Sequence, residues 1–230
     1  MRIAALAGLL AVLVAAWLSY GHAWSIPDRH NPWAPLVLEE TPGWLTRHKL
    51  ERLEREPGAC RAFVAAAGFD ASPVPAREEA GGCGFDDALR VGRTAGSTLA
   101  PTVLSCRAAA SLALWEQHVL QPAAAQHLGS PVRRIEHFGS YACRRVYGRD
   151  SGALSRHARA DALDIAGVVL ADGRRVRVVS GWAGDGAQAA FWRQLHAGAC
   201  GFFDTVLGPD YNRAHADHLH LDRGPYRICR

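Results

Sequence analysis

The sequence is almost without lysine, since Lys49 is the only one among its 26 basic residues. Its net charge of +4 is small and the charges are scattered along the chain. A clustered basic patch is the electrostatic mark of a nucleic-acid-binding domain, so the composition predicts no nucleic-acid partner. Internal repeats and low-complexity segments are also lacking. With 49% hydrophobic and 21% charged residues, the chain has the composition of a globular protein.

Cys-x-x-Cys pairs are missing as well, which argues against a thiolate zinc cluster and a thioredoxin-like redox site. The even number of cysteines instead predicts three disulfides in an exported domain, with about fifteen possible pairings. Free buried thiols are the alternative for some of them. The six candidates are Cys60, Cys83, Cys106, Cys143, Cys200 and Cys229.

The N-terminus carries the one long apolar run, residues 3–18, which has no charge. Such a run is either the core of a signal peptide or a transmembrane helix near the lower limit of length. A small-x-small cleavage site at residues 21–23 favours removal. Trp17, Tyr20 and Trp24 lie where an aromatic belt would anchor a span, which slightly favours an uncleaved anchor. We expect a periplasmic protein, either anchored to the inner membrane or released.

The sequence divides into three parts: a signal peptide or membrane anchor at 1–24, a linker with a short helix at 25–56, and a domain at 57–230. Hydrophobic periodicity, turn residues and apolar runs predict the elements of the domain. They predict an α+β fold, an antiparallel sheet with helices packed on one side. The expected elements are a helix over 102–128, a strand over 133–141, a hairpin of strands 163–170 and 175–180, a helix over 187–199 and a short strand over 216–222.

Two short stretches, residues 155–164 and 215–220, hold the residues that most suggest chemistry. Imidazole nitrogens and carboxylate oxygens are ligands that zinc prefers, and a catalytic zinc ion takes three protein ligands and leaves one position open. The first stretch contains His157 and Asp164, and the second contains His220. We interpret these three as the ligands of one zinc ion.

These stretches carry a resemblance. Residues 155–164, Ser-Arg-His-Ala-Arg-Ala-Asp-Ala-Leu-Asp, resemble the Ser-x-His-x-x-Gly-x-Ala-x-Asp signature of zinc D-Ala-D-Ala dipeptidases, carboxypeptidases and murein endopeptidases. Residues 218–220 resemble their second motif, His-x-His. In that superfamily the ligands are the His and Asp of the first motif and the last His of the second. The resemblance therefore implies the same three ligands, His157, Asp164 and His220.

A closer resemblance covers about residues 57–230 and is to the bacterial extensin-like C-terminal domain family. Activity is implied only by the more distant peptidase resemblance, from which the chain departs at Ala160, where glycine is favoured. The peptidase resemblance implies a zinc peptidase fold and cleavage of peptidoglycan stem peptides, as a carboxypeptidase or an endopeptidase. The stretches that carry the extensin-like resemblance are residues 139–144, 157–165, 198–203, 207–212 and 215–222.

The peptidase resemblance also implies a base beside a zinc-bound water, for which two positions are open. Asp217 lies three residues before the last ligand, where related peptidases place an acid. His218 shares a strand face with His220, which favours the histidine. We expect Asp217 to be the base and His218 to orient it or to stabilise the oxyanion.

Four further residues are candidates for substrate contact. Arg144 follows a turn that resembles a substrate-binding Ser-Gly-Tyr-Arg element, and its guanidinium suits a substrate carboxylate or the scissile carbonyl. A plain surface arginine is the alternative. Tyr141, Ser155 and His215 are expected to line the substrate groove, with bracing of the loop as the alternative for Ser155.

Two functions remain open from the sequence. One is a zinc peptidase that acts on peptidoglycan stem peptides. The other is a non-catalytic cell-envelope or peptidoglycan-binding protein on the same fold. A complete set of ligands with candidate bases favours the enzyme, because a binding protein has no need of a base.

Overall fold

The computed structural model describes residues 2–21 and 25–230. Trp24 and most of the candidate cleavage site at 21–23 lie outside these ranges. The α-helices are α1 (Arg2–Ser19), α2 (Thr46–Leu53), α3 (Pro57–Ala66), α4 (Cys106–Trp115), α5 (Gln121–Leu128), α6 (Val178–Gly181) and α7 (Ala187–Ala199). The strands are β1 (Asp70–Val74), β2 (Arg77–Glu78), β3 (Gly84–Phe85), β4 (Ala88–Arg93), β5 (Thr98–Ser105), β6 (Val132–Gly139), β7 (Ala162–Leu170), β8 (Arg175–Arg177), β9 (Thr205–Leu207), β10 (Leu219–Asp222) and β11 (Ile228–Cys229).

The N-terminal run forms α1. Within the described ranges, no helix has both the length and the apolar character that crossing a membrane requires.

A sheet of nine strands forms the centre of the domain, in the order β1-β4-β5-β6-β7-β10-β9-β11, with β8 paired to β7. Most neighbours are antiparallel, while β5 with β6 and β9 with β11 are parallel. The predicted α+β class and the mostly antiparallel sheet are confirmed.

The alternation of side chains along β7 and β10 decides which face holds the core. Leu163 and Ile165 of β7 join the same apolar cluster as residues of α4, α5 and α7. Asp164 lies between them and so points to the opposite face. Because β10 pairs antiparallel with β7, His220 lies directly across from Asp164. The register of two central strands thus brings the two motifs together.

The predicted helix over 102–128 is wrong at its beginning. Thr102 and the three residues after it belong to β5, and the helix begins only at Cys106. Ser105 marks the boundary, because its Oγ accepts a hydrogen bond from the backbone N–H of Ala108 and so caps α4. A turn of π-helix, Glu116–Leu120, then separates α4 from α5, whose first turn holds Pro122.

The hairpin and the second long helix agree with the sequence analysis. Strands β7 and β8 pair around the turn that holds Asp172-Gly173. The second strand is shorter than expected, because residues 178–181 form α6. Helix α7 has the predicted bounds, 187–199.

The three predicted disulfides are confirmed, and the described part of the chain has no free cysteine. One of them joins the loop before β3 to the segment that follows β6. The pairs are Cys60–Cys106, Cys83–Cys143 and Cys200–Cys229.

Candidate metal centre

His157 lies in a short 3₁₀ turn, Arg156–Arg159, just before β7. The turn begins at Ser155, whose Oγ accepts a hydrogen bond of 3.3 Å from the backbone N–H of His157. It ends at Ala160, which has a left-handed backbone with φ of 56°. Glycine adopts this conformation without steric cost, so the glycine of the resembling signature has a plain physical reason here. The structure thus gives Ser155 a bracing role.

The imidazole of His157 is oriented by the backbone. Its Nδ1 lies 2.6 Å from the carbonyl oxygen of Ser140. Because a carbonyl only accepts, Nδ1 donates and Nε2 is the nitrogen that faces the other two residues of the group. That Nε2 lies 3.2 Å from Oδ2 of Asp164 and 3.2 Å from Nδ1 of His220.

Asp164 and His220 complete a compact group with His157. Oδ1 of Asp164 lies 2.8 Å from Nδ1 of His220. One ligand atom from each of the three residues lies within 4.8 Å of the others, and all three side chains are buried. The structure therefore brings together the three residues that the sequence indicated as zinc ligands.

The second nitrogen of His220 has a partner that the sequence analysis missed. Nε2 lies 3.0 Å from Oδ2 of Asp222, a residue that is only 4% exposed. The available signal was the spacing, because residues 220 and 222 of one strand share a face.

These contacts set the electrostatics of the group. Burial alone would lower the pKa of His220, but hydrogen bonds with Asp164 and Asp222 outweigh burial and raise this pKa to about 9. Burial would raise the pKa of Asp164, but the hydrogen bonds from His157 and His220 hold it far below its usual range. Burial, together with the nearby charges of His220 and His218, lowers the pKa of His215 to about 4.

His218 lies between Asp217 and the buried group. Its Nδ1 lies 2.9 Å from Oδ1 of Asp217, and its Nε2 lies 3.5 Å from Oδ1 of Asp164. The Asp217 side chain is 51% exposed and contacts His218, not the three buried residues. The ring of His215 is 5.2 Å from that of His218 and 5.8 Å from that of His220.

A cavity of about 540 Å³ opens onto these residues. It is lined by the three buried residues together with Arg144, Ser155, His215 and His218 from the sequence analysis. Tyr141 lies elsewhere. Its ring is 5.2 Å from the ring of Phe85 and 5.0 Å from the guanidinium of Arg77, and it does not line this cavity.

The model of the family described as extensin-like protein C-terminus matches residues 58–230. The chain belongs to this family. Comparison with the curated proteins and with the solved structures finds no similar protein.

Three tyrosines add to the cavity wall of this extensin-like domain, namely Tyr147, Tyr211 and Tyr226. The amide Nδ2 of Asn212 donates a hydrogen bond of 3.2 Å to the hydroxyl of Tyr147, which joins two sides of the cavity. Tyr147 has a left-handed backbone with φ of 58°. Neither Tyr147 nor Tyr226 stands in a motif, so the sequence offered no signal for them.

The donor set of the extensin-like domain fits a zinc ion. Two ligands of a tetrahedral zinc ion at its usual bond lengths are about 3.3 Å apart. The three separations of 2.8, 3.2 and 3.2 Å found here are close to that value. In the described ranges, the two other groupings of potential ligands contain disulfide-bonded cysteines, whose sulfurs are not thiolates. Among these groupings, that of His157, Asp164 and His220 is therefore the one that fits a metal ion.

Proposed function

We propose that this extensin-like protein is an exported zinc-dependent peptidase that acts on peptidoglycan stem peptides, as a carboxypeptidase or an endopeptidase. The observation that carries the proposal is the buried group of His157, Asp164 and His220 on the wall of a cavity of about 540 Å³. The resemblance of both motifs to the zinc D-Ala-D-Ala peptidases supplies the reaction and the substrate class.

His157 would bind one zinc ion through Nε2, His220 through Nδ1 and Asp164 through a carboxylate oxygen. When bound, zinc acts as a Lewis acid and lowers the pKa of a coordinated water toward neutrality. The Ser140 carbonyl and the Asp222 carboxylate hold the two imidazoles in the orientations that direct these atoms at one point.

The contacts of His218 favour it as the base over Asp217, the residue preferred from the sequence. Nδ1 of His218 donates to Asp217, so Nε2 has a free lone pair and can accept a proton. Nε2 is also the nitrogen that faces Asp164, at 3.5 Å. We assign proton transfer to His218 and orientation of its ring to Asp217, the arrangement of a base held by a carboxylate.

Arg144 supports an anionic substrate. Its side chain is exposed on the cavity wall, and in the described part of the chain it takes part in no ion pair. A guanidinium in this state can form charge-assisted hydrogen bonds with a peptide carboxylate. The three disulfides support export to an oxidising compartment, which agrees with a periplasmic protein held at the inner membrane or released from it.

The test combines metal analysis with digestion of purified muropeptides, followed by mass spectrometry. We expect about one zinc per parent chain, as in other sites with three protein ligands. His157→Ala and His220→Ala should lose the metal. His218→Asn should keep the metal and lose about 10²- to 10⁴-fold in hydrolysis rate, the usual effect of removing a general base. His127→Ala, on a helix remote from the cavity, is the matched control and should change neither quantity.

No bound metal after zinc is supplied at neutral pH would contradict the proposal. Bound zinc without cleavage of any muropeptide would instead favour the non-catalytic envelope protein. An unchanged rate in His218→Asn with a lowered rate in Asp217→Asn would return the role of base to Asp217.

A further inference from the structure

We propose that Asp222 is a positioning residue of the metal centre, which orients His220 and makes it a stronger ligand. This inference rests on the proposed function, because it takes the group of His157, Asp164 and His220 as the metal site. Asp222 itself stands outside both sequence motifs that indicated the site.

Asp222 is the last residue of β10, two positions after His220, so both side chains project from the same face of the sheet. Its Oδ2 lies 3.0 Å from Nε2 of His220. Its backbone carbonyl accepts a hydrogen bond of 2.8 Å from the N–H of Asp204, which holds the strand end in place. The carboxylate therefore approaches the imidazole from a rigid backbone.

This contact decides which nitrogen of His220 is available. Nε2 donates to the carboxylate of Asp222, whereas Nδ1 faces the other two candidate ligands, Nε2 of His157 at 3.2 Å and Oδ1 of Asp164 at 2.8 Å. Nδ1 is therefore the nitrogen placed for a metal ion. The two histidines thus use opposite nitrogens, Nε2 in His157 and Nδ1 in His220. The partner of His157 is a neutral carbonyl, whereas the partner of His220 is an anion, which raises the basicity of the ligand more strongly.

A purely structural role explains Asp222 poorly. In the described part of the chain, the side chain of Asp222 has one polar partner, His220, and its Oδ1 is buried without a hydrogen bond. A buried carboxylate with a single hydrogen-bond partner pays a desolvation penalty that weakens its contribution to stability. The neighbouring Asp204 differs, since Arg47 and Arg223 both pair with it.

Gly224 leaves the space that this arrangement needs. A Cβ at residue 224 would lie 2.8 Å from Oδ1 of Asp222, closer than real Cβ contacts allow. The backbone of Gly224 is not left-handed, so an alanine there is excluded by the carboxylate alone and not by backbone strain. Gly224→Ala therefore displaces the carboxylate while Asp222 remains in the chain.

The experiment measures zinc affinity by competition with a chromophoric chelator for the parent, Asp222→Asn, Gly224→Ala and His220→Ala. Asp222→Asn keeps an oxygen that can accept the Nε2 proton but removes the charge. We expect zinc affinity to fall about 10- to 100-fold in Asp222→Asn and in Gly224→Ala, the range typical of lost outer-shell partners. Asp204→Asn is the matched control, because it removes a buried carboxylate one strand away without touching a histidine, and its zinc affinity should equal that of the parent.

A second measurement needs no variant. In the zinc-loaded parent, side-chain ¹H–¹⁵N NMR should show His220 with a protonated Nε2 and a metal-bound Nδ1. The opposite assignment, or Asp222→Asn and Gly224→Ala proteins that bind zinc as tightly as the parent, would overturn this inference and leave the zinc site standing. A parent that binds no zinc, or binds it equally after His220→Ala, would overturn the proposed function and this inference with it.

Discussion

At the scale of single residues, four histidines near one cavity differ because of their partners. His157 is held by a backbone carbonyl and His218 by an exposed carboxylate. His220 lies between two carboxylates, and the pKa rises to about 9, whereas His215 lacks such a partner and its pKa falls to about 4. The partners of each histidine thus suit it to a different proposed role, as a metal ligand, a base or a neutral part of the cavity wall.

The raised pKa of His220 predicts a pH dependence of stability in the metal-free protein. The folded pKa of about 9 exceeds the ordinary value of 6.5, so the stabilisation is fully present below pH 6.5 and is lost as pH rises through 9. The shift corresponds to up to about 3 kcal/mol. We expect the free energy of unfolding, measured by urea denaturation with a chelator present, to fall across this window.

His220→Asn should show no such fall between pH 6.5 and 9. His215 does not confuse the result, because its lowered pKa acts between about 4 and 6.5, where it makes stability fall as pH decreases. A parent protein whose stability is flat from pH 6.5 to 9 would show that the two carboxylates do not stabilise the protonated form of His220.

At the scale of elements, the site depends on the segment that follows β6, which is attached to the rest of the fold by Cys83–Cys143. This segment supplies the Ser140 carbonyl that orients His157, and also Arg144 on the cavity wall. The disulfide thus ties a loop of the candidate metal centre to the region around β3.

Removal of this disulfide by Cys83→Ser with Cys143→Ser should lower both stability and zinc affinity. Its chain separation of 60 residues resembles the 46 of Cys60–Cys106, which joins α3 to α4. Each pair is expected to stabilise the fold by up to about 4 kcal/mol through the unfolded state. The matched Cys60→Ser, Cys106→Ser protein should lose similar stability in urea denaturation but keep its zinc affinity. Equal zinc affinities in both variants would contradict this role of Cys83–Cys143.

Sequence patterns predicted those elements whose periodicity is long and unbroken. The apolar run of β7 and the amphipathic α7 have the expected positions, whereas the N-cap at Ser105 ended a strand that the apolar pattern had assigned to a helix. In the site, residue types and spacing indicated His157 and its two partners. The spacing of Asp222 places it on the strand face of His220, but the pattern gave it no role. The Ser140 carbonyl depends on the path of a loop, which local patterns do not reveal. Tyr141, chosen by resemblance, contacts Phe85 instead of the cavity.

At the scale of the whole molecule, the domain extends before residue 58, where the family match begins. Leu50 of α2 is 1% exposed and joins the common core. Glu54, just after α2, pairs with Arg223, which is also 1% exposed and directly follows Asp222. The segment expected to be a linker with a short helix therefore contributes to the core and supports the end of β10.

Two shortened chains test this extension, one that begins at residue 25 and one that begins at residue 57. The shorter chain loses the buried Leu50 and Leu53 and leaves Arg223 without Glu54. The loss of two buried leucines and of a partner to a buried cation together predict a decrease of about 5 kcal/mol or more in the free energy of unfolding. The chain from residue 25 is the matched control and should unfold with the stability of the full domain.

Glu54→Gln in that control isolates the contribution of the ion pair to the free energy of unfolding, because it keeps both leucines. Equal stability of the two chains would show that α2 lies on the domain without supporting it.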